Sequence, residues 1–234
     1  MPFCPTCGTS IDPSDKYCGT CGSGLQGGAA AATAYPAAMP GSKTLPYAIS
    51  MRRVLIMSVL SYGLYLFYWF YVTWKQYRDH TQTRAFPVWH GLALMVPVYN
   101  LFRTHAHMRT FRSLMYEAGL ASTISAGWAV ALVLFHAVMD WVSFNVAGGF
   151  ADLTEITQKT AVAVAVVDMV SIAAVVVLLL HVQTNLNRYW SKVANAQLVS
   201  AKIGAGEVVF GLIGGALWFD ALANVLSSAY RTGI

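Results

Sequence analysis

Four cysteines near the start of the chain have the residue type and spacing of a metal site. They form two Cys-x-x-Cys pairs, each followed by a glycine, and these are Cys4 with Cys7 and Cys18 with Cys21. A turn with a small residue after the second cysteine brings two sulfurs to the same side of a zinc ion. Two disulfides are the alternative, but close pairs repeated at this spacing favour a metal. The sequence therefore predicts a zinc ribbon in which four thiolates bind one Zn2+.

The predicted zinc is structural, because four cysteine ligands leave no open position for a substrate. Residues 1–25 contain few large apolar side chains, so metal binding would supply most of their folding free energy, on the order of 10 kcal/mol. Among their side chains only Lys16 is basic, against Asp12 and Asp15. Phosphate binding needs a basic surface, so nucleic acid is not an expected partner. We expect the ribbon to contact a protein partner or another copy of the chain.

Ionisable side chains inside apolar stretches form a second set that could do chemistry. These residues are His136, Asp140, Asp168 and Asp220. Charge is costly in a bilayer, so such residues are candidates for a functional role. Asp140 lies seven residues before Ala147, at the end of one apolar stretch. Asp168 lies eight residues after Thr160, at the start of the next, so both are expected about 10 to 12 Å below one membrane face.

Two interpretations of these acids stay open. Asp140 and Asp168 could share a proton, with His136 one helical turn from Asp140 as a relay. They could instead form interhelical hydrogen bonds that hold the helices together, worth about 1 kcal/mol each. The structural interpretation is the preferred one at this point.

The remaining histidines do not have the spacing of a metal site. His105 and His107 are two residues apart and diverge on a helix, and His90 has no acidic partner nearby. We expect a surface role for all three. The chain also has no hydrolase, metalloprotease or nucleotide-binding signature, so the sequence predicts that the protein is not an enzyme.

Five apolar windows of the sequence would form the helices that position these residues. The chain is 56% hydrophobic and 11% charged, which is too apolar for a soluble domain of this size. The windows are residues 54–74, 87–102, 124–147, 160–180 and 208–226. A helix of about 20 residues crosses a bilayer, so the third and fourth windows are long enough and the second is marginal.

The predicted fold is therefore mainly α, with a small zinc ribbon and a helical integral membrane domain. Residues 1–25 form the ribbon, and residues 26–46, rich in Ala, Gly and Pro, form a flexible linker. The membrane domain spans residues 47–234.

The basic residues between the windows favour one topology. Short cytoplasmic loops are enriched in Lys and Arg. If all five windows crossed the membrane with the ribbon in the cytosol, Lys75, Arg78 and Arg84 would face outwards. If the first two windows are re-entrant hairpins that bend at Tyr62-Gly63 and at Pro97, these residues lie inside. Re-entrant hairpins and ordinary spans both remain open.

These first two windows also contain a short internal repeat. The segment Gly63-Leu64-Tyr65-Leu66-Phe67 aligns with Val98-Tyr99-Asn100-Leu101-Phe102 at an offset of 35 residues. The match is short, and chance similarity is the alternative.

A basic helix after the second window has the pattern of a helix on an anionic membrane surface. Met108, Phe111 and Met115 fall on one helical face, while His105, Arg109 and Arg112 fall on another. A second basic stretch at residues 185–197 has a similar pattern, with a solvated helix end as its alternative. The predicted membrane-surface basic residues are Arg103, Arg109, Arg112, Arg188 and Lys192.

Together these motifs resemble a bacterial family. The ribbon runs from Phe3-Cys4-Pro5 to Cys21-Gly22, and the later segments are Arg53-Val54-Leu55, 62–70, Val96-Pro97-Val98-Tyr99 and Phe102-Arg103-x-His105-x-His107. They look like membrane proteins of the domain of unknown function 4234 family that carry an added zinc ribbon. The resemblance implies a prokaryotic inner membrane and no established activity, so it supplies no catalytic residues.

The sequence as a whole predicts a multi-pass inner-membrane protein with a cytosolic zinc ribbon. Its expected function is that of a scaffold or partner-docking component. A small transporter or proton-coupled component that uses Asp140 and Asp168 is the first alternative, and an intramembrane enzyme is the second.

Overall fold

The computed structural model describes residues 47–147, 156–193, 199–200 and 202–232. They belong to the second of the two units into which the chain divides, Ala37–Ile234. The four ribbon cysteines and the predicted linker lie outside the described residues, as does most of the loop between the third and fourth windows.

The described fold is mainly α, as the sequence predicts. The helices are α1 Met51–Leu60, α2 Tyr65–Thr81, α3 Pro87–Leu92, α4 Tyr99–Glu117, α5 Ala126–Val146, α6 Gln158–Val193, α7 Ala205–Leu226 and α8 Ser228–Thr232. A 3-10 turn, Ala93–Met95, follows α3. Strand β1, Tyr47–Ala48, pairs in parallel with strand β2, Val199–Ser200.

Three of these helices are long and apolar enough to cross a membrane. They are α5, α6 and α7, with 21, 36 and 22 residues; α5 lies within the third window, and α6 and α7 contain the fourth and fifth. At 1.5 Å per residue, even α5 is about 32 Å long, which matches a bilayer core. Large apolar side chains such as Trp141, Leu212 and Phe219 point outwards from α5 and α7. Such a surface is unfavourable in water and suits lipid, which supports a membrane protein.

The first window is broken into two helices at the predicted bend. Tyr62 and Gly63 both have positive φ, 57° and 86°, so α1 ends and α2 begins around them. Glycine adopts this conformation at little cost, whereas tyrosine does so rarely. The Ser61 hydroxyl lies inside the break and accepts a hydrogen bond from the backbone N–H of Tyr65 at 2.8 Å.

These two helices run down α6 and back. The first residue of α1 contacts Thr184 of α6, and the tyrosine at the break reaches Asp168, 16 positions earlier (184 to 168). On the return, Trp69 of α2 donates a hydrogen bond to Gln183 at 2.7 Å. Helices α1 and α2 therefore form a hairpin whose tip lies about 24 Å along α6 from the start of α1.

The second window has a similar course. Val98 has a φ of 66°, and it stands 35 residues after Gly63, so the aligned positions of the two segments share a positive φ. Helix α3 packs on α2, where the His90 ring stacks on Trp74 with centroids 3.9 Å apart. Helix α4 then returns along α2. The break at Pro97-Val98 lies where the sequence predicts a bend.

The apolar face of α4 is buried by protein, contrary to the expectation of a helix lying on lipid. Met108, Phe111 and Met115 have no exposed surface and belong to the core, together with Trp69 and Phe70 of α2. The sequence correctly predicts that α4 has one apolar and one basic face. It does not predict what covers the apolar face, because such a face packs equally well on lipid and on an apolar protein surface.

The bundle has two distinct ends. At the first, which we call the basic end, the last turns of α2 and α4 meet the last turns of α6, and the first turn of α7 contacts the first turn of α1. There the Lys192 ammonium donates a hydrogen bond to the Ala118 carbonyl oxygen, and Tyr189 hydrogen bonds to His80 at 2.8 Å. At the second, which we call the far end, the end of α5 and the start of α6 lie beside the end of α7, where Gln158 donates to the Val225 carbonyl oxygen.

Candidate intramembrane polar site

A polar cluster lies between the helices that are able to span a membrane, around the tip of the first hairpin. The break between α1 and α2 aims the Tyr62 side chain at α6, and its hydroxyl donates a hydrogen bond to Asp168 Oδ2 at 2.7 Å. Tyr62 also packs edge-on against Trp218 of α7, with ring centroids 4.9 Å apart. The tip of the hairpin is therefore fixed between two spanning helices.

One helical turn along α6, Ser171 links α6 to α5. Its hydroxyl donates to Asp140 Oδ1 at 2.5 Å and lies 2.5 Å from His136 Nδ1. Asp140 and His136 are one turn apart on α5, and His136 Nδ1 is 3.4 Å from Asp140 Oδ1. The arrangement can hold or pass a proton between an imidazole, a hydroxyl and a carboxyl group.

Two adjoining cavities are lined by this cluster. The first, which we call the central cavity, has a volume of about 340 Å³ and is lined by Asp140 and Asp168 together. The second, which we call the end cavity, has a volume of about 210 Å³ and lies nearer the far end. Tyr62 and Asp168 line both cavities, so this hydrogen-bonded pair stands at their junction.

Asp220 belongs to the end cavity. Its Oδ1 accepts a hydrogen bond from the Tyr230 hydroxyl of α8 at 2.9 Å, and its Oδ2 accepts one from Asn224 at 3.2 Å. Asn224 also lines the end cavity. All four ionisable residues selected from the sequence thus line one of two connected cavities, with Asp168 common to both.

An apolar layer separates the central cavity from the basic end. Between Ser171 and Gln183, α6 buries Ile172, Val175, Leu178 and Leu179, each at most 4% exposed. These 12 positions (171 to 183) correspond to about 18 Å of helix. The polar groups of the site are therefore nearer to the far end than to the basic end.

Ser143 is a polar group of the central cavity without a partner. It lines the cavity and is only 8% exposed. No hydrogen bond of its hydroxyl to another described residue is present, whereas the Ser171 hydroxyl is fully used. A buried hydroxyl that faces a cavity without a partner is available to a ligand or to water.

The predicted basic surface residues have different surroundings. Arg109 and Arg188 are exposed. Arg112 donates to the Tyr116 hydroxyl at 3.3 Å, and Arg103 hydrogen bonds to His90. Lys192 binds the end of α4, as described above. Whether these residues meet a membrane surface stays a prediction.

The expectation of a surface role is wrong for His107 and only partly right for His90. His105 is exposed, but His107 is fully buried, with its ring 4.1 Å from Phe70 and 4.6 Å from Phe111. Neither of its nitrogens has a hydrogen-bond partner among the described residues. Burial, reinforced by the nearby charges of His90 and Arg103, holds the pKa of His107 well below its ordinary value. Because positions i and i+2 of a helix point in different directions, α4 directs His105 outwards and His107 into the core.

Two features of the site were missed by sequence reasoning. One is the role of Tyr62, which stands in an aromatic-rich run and looks like an ordinary apolar residue. The other is a buried ion pair at the basic end, where Arg53 Nε donates to Glu207 Oε1 at 2.8 Å. Glu207 is 2% exposed and also accepts from the Gly204 N–H at 2.9 Å. A glutamate placed at the start of an apolar window was the available signal.

Within the described part of the chain, no group of three or more histidines, cysteines or acids is arranged to hold a metal ion. The ribbon cysteines lie outside that part. Residues 3–25 match the zinc-ribbon domain family, and the match suggests zinc binding. Comparison of the chain with curated proteins and with solved structures gave no match. The chain therefore carries a zinc-ribbon domain at its N-terminal side, joined to a helical domain with three helices that can span a membrane.

Proposed function

We propose that the protein is a multi-pass membrane component that holds a zinc ribbon in the cytosol and docks a protein partner through it. The observation that carries the proposal is the combination of a zinc-ribbon domain at residues 3–25 with three helices able to span a membrane. Four thiolate ligands, Cys4, Cys7, Cys18 and Cys21, would close the coordination shell, so the zinc would stabilise the ribbon and not act on a substrate.

The charges support a cytosolic basic end. Eleven of the thirteen lysines and arginines in the described residues precede α5, lie in the last two turns of α6 or lie just before α7. The other two are Lys159 and Arg231 near the far end. Basic residues accumulate on the cytoplasmic side of membrane proteins. With this orientation α5 leads out of the cytosol, α6 returns and α7 leads out again.

The hairpin formed by α1 and α2 supports re-entry of the first window. Both of its open ends lie beside the basic end of α6, and its tip reaches Asp168. A broken backbone at membrane depth must be buried in protein or line a polar cavity. The Tyr62 break is in contact with α6 and α7 and lines both cavities, so it meets this condition.

The exposed basic groups of α4 and α6 would then lie near the headgroups of the cytosolic leaflet. Arg109 and Arg188 are the clearest candidates, since their side chains are exposed. Each lysine or arginine near an anionic surface contributes about 1 kcal/mol of attraction.

The resemblance of the sequence motifs to the domain of unknown function 4234 family is the basis for proposing a prokaryotic inner membrane. The breaks at Tyr62-Gly63 and Pro97-Val98 fall within those motifs. In this proposal the protein is not an enzyme, and its ribbon acts through binding.

Affinity purification of the intact protein tests the docking function. The intact chain should retain a partner that a chain carrying Cys4→Ser and Cys18→Ser loses, while zinc measured by elemental analysis falls from one ion per chain to none. Asp168→Asn is the matched control, because it leaves the ribbon unchanged and should retain the partner. Equal partner recovery with and without the ribbon cysteines would contradict the docking function.

A second candidate function is that of a proton-coupled membrane component. The specific observation that favours it is the arrangement of Asp140 and Asp168 in one cavity with Tyr62, His136 and Ser171. Ser171 hydrogen bonds to both His136 and Asp140, so these groups provide a path for a proton beside the cavity.

Protein reconstituted in vesicles that contain a pH-sensitive dye tests this candidate. Wild-type protein should carry protons down a pH gradient when a suitable solute is present, and Asp140→Asn and Asp168→Asn should abolish the flux. Both variants should fold, since Asn has the size and hydrogen-bonding pattern of a protonated carboxyl group. Unchanged flux in both variants would contradict the proton-coupled function.

A further inference from the structure

The central cavity holds two acidic side chains, and the basic group among its described lining residues is the His136 imidazole, 3.4 Å from Asp140 Oδ1. Asp140 and Asp168 line it, and the described lining residues include no lysine or arginine. Asp168 is held by a tyrosine hydroxyl and Asp140 by a serine hydroxyl. A carboxyl group in a membrane domain avoids the cost of an isolated charge either by keeping its proton or by binding a cation.

The size of the cavity distinguishes between kinds of cation. A volume of about 340 Å³ holds on the order of ten waters, at roughly 30 Å³ each. Hard metal ions need oxygen ligands at about 2.0 to 2.6 Å on several sides, which a space of this size does not provide. A molecular cation of several heavy atoms fits the volume better.

The walls of the cavity are those of a site for an organic cation. Three aromatic rings line it, from Tyr62, Phe67 and Phe144, and Ile172 and Leu217 add aliphatic surface. Aromatic faces attract organic cations, and apolar walls with a few polar groups are typical of small-molecule sites. The carboxylates would accept the N–H groups of an ammonium ion in charge-assisted hydrogen bonds.

Ser143 provides a separate indication of a ligand. The residue is 8% exposed and lines the cavity, and no hydrogen bond joins its hydroxyl to another described residue. It lies on α5 one turn beyond Asp140, so a ligand bound between Asp140 and Asp168 would come within its reach.

We infer that the central cavity is a binding site for a small organic ammonium ion, with Asp140 and Asp168 as its charged ligands and Ser143 as a further hydrogen-bonding group. This inference deepens the second candidate function and rests on the same cavity, since it names the class of solute that would exchange with the proton.

Calorimetric titration of the full-length protein in detergent tests the inference, with benzylammonium chloride as the probe and benzyl alcohol as its neutral analogue. Benzylammonium should bind to the wild-type protein, and benzyl alcohol should bind at least about tenfold more weakly. Asp140→Asn and Asp168→Asn should each weaken benzylammonium binding by about tenfold or more, and Ser143→Ala by a smaller factor. Asp220→Asn is the matched control and should leave the affinity unchanged, because Asp220 lines only the end cavity.

The absence of benzylammonium binding to wild-type protein would overturn the inference, and so would binding that is indifferent to both Asp140→Asn and Asp168→Asn. If either of these variants is unstable, Ser143→Ala and the comparison with benzyl alcohol decide the question on folded protein. Benzylammonium binding without proton flux in vesicles would refute the proton-coupled function and leave the cation site in place. Proton flux without benzylammonium binding would refute the cation site and leave the proton-coupled function in place.

Discussion

At the scale of single residues, the polar site shows which properties follow from position along a helix. The depth of Asp140 and Asp168 could be predicted, because the helical rise is constant and each residue could be counted from the end of its window. Both residues line one cavity, so they lie at a similar level along α5 and α6, and their depth below a membrane face stays a prediction. The contact of Tyr62 with Asp168 could not be predicted, because it depends on a hairpin that brings residues 106 positions apart together.

His107 gives the clearest prediction at this scale. The pKa of its buried imidazole is well below the unfolded value of about 6.5, so below about pH 6.5 the unfolded chain takes up a proton that the folded chain excludes. The free energy of unfolding should therefore fall as the pH drops below that value and should not depend on this group above it. His107→Leu should reduce the loss, as measured by thermal unfolding in detergent across the acidic range.

His105→Leu serves as the control for that measurement. His105 lies two residues earlier on α4 with an exposed side chain, so its replacement should leave the acid sensitivity as it is in the wild type. If the wild type and His107→Leu lost stability equally on acidification, the excluded proton would have to belong elsewhere.

At the scale of helices, the breaks of the first two windows could be read from the sequence, but the contacts between distant helices could not. Gly63 and Pro97 interrupt the apolar runs by their own backbone preferences. Nothing in the local sequence predicts the positive φ of Val98, since a β-branched residue avoids that conformation. Nor could the pairing of Arg53 with Glu207, 154 positions apart, be found without the fold.

The packing of α7 on the first hairpin depends on Gly214. A Cβ at this position would overlap the Leu60 carbonyl oxygen and the Cα of Ser61, both backbone atoms at the break. Gly214→Ala should therefore destabilise the protein by about 1 to 3 kcal/mol. Gly215→Ala should have little effect, because its Cβ would meet no atom within 4 Å. Thermal unfolding of both variants in detergent measures the difference, and equal stability would show that α7 does not pack this closely.

The ion pair at the start of α7 gives a second prediction at this scale. Arg53→Met would leave Glu207 buried without its cation, which should cost about 3 to 5 kcal/mol of stability. Lys75→Met is the comparison, since Lys75 pairs with Asp79 at a partly exposed position, and surface pairs contribute about 1 kcal/mol or less. Chemical unfolding in mixed micelles would measure both values. A small effect of Arg53→Met would mean that water reaches Glu207.

At the scale of the whole molecule, the sequence predicted a mainly helical chain with a ribbon and spanning helices, because composition and window length determine these properties. It could not decide between spans and hairpins for the first two windows. That choice depends on which helices cover the broken backbone, and α6 and α7 provide that cover for Tyr62.

Labelling of single cysteines tests the proposed orientation. In intact cells, with the ribbon cysteines blocked, Thr81→Cys at the basic end should resist an impermeant maleimide. Thr157→Cys at the far end should react with it, and this reaction shows that the reagent has access to exposed sites. Ready labelling at position 81 would place Lys75, Arg78 and Arg84 outside and restore an ordinary first span.

The length of α6 has a mechanical consequence. This one uninterrupted helix of 36 residues carries Asp168 in the cavity near one end and Tyr189, bonded to His80, near the other. The 21 positions between them (168 to 189) form a stiff rod of about 31 Å. If α6 tilts by about 5° about the cavity, its other end moves by about 2.7 Å over that length. A small tilt of α6 at the polar site would therefore become a larger displacement at the basic end.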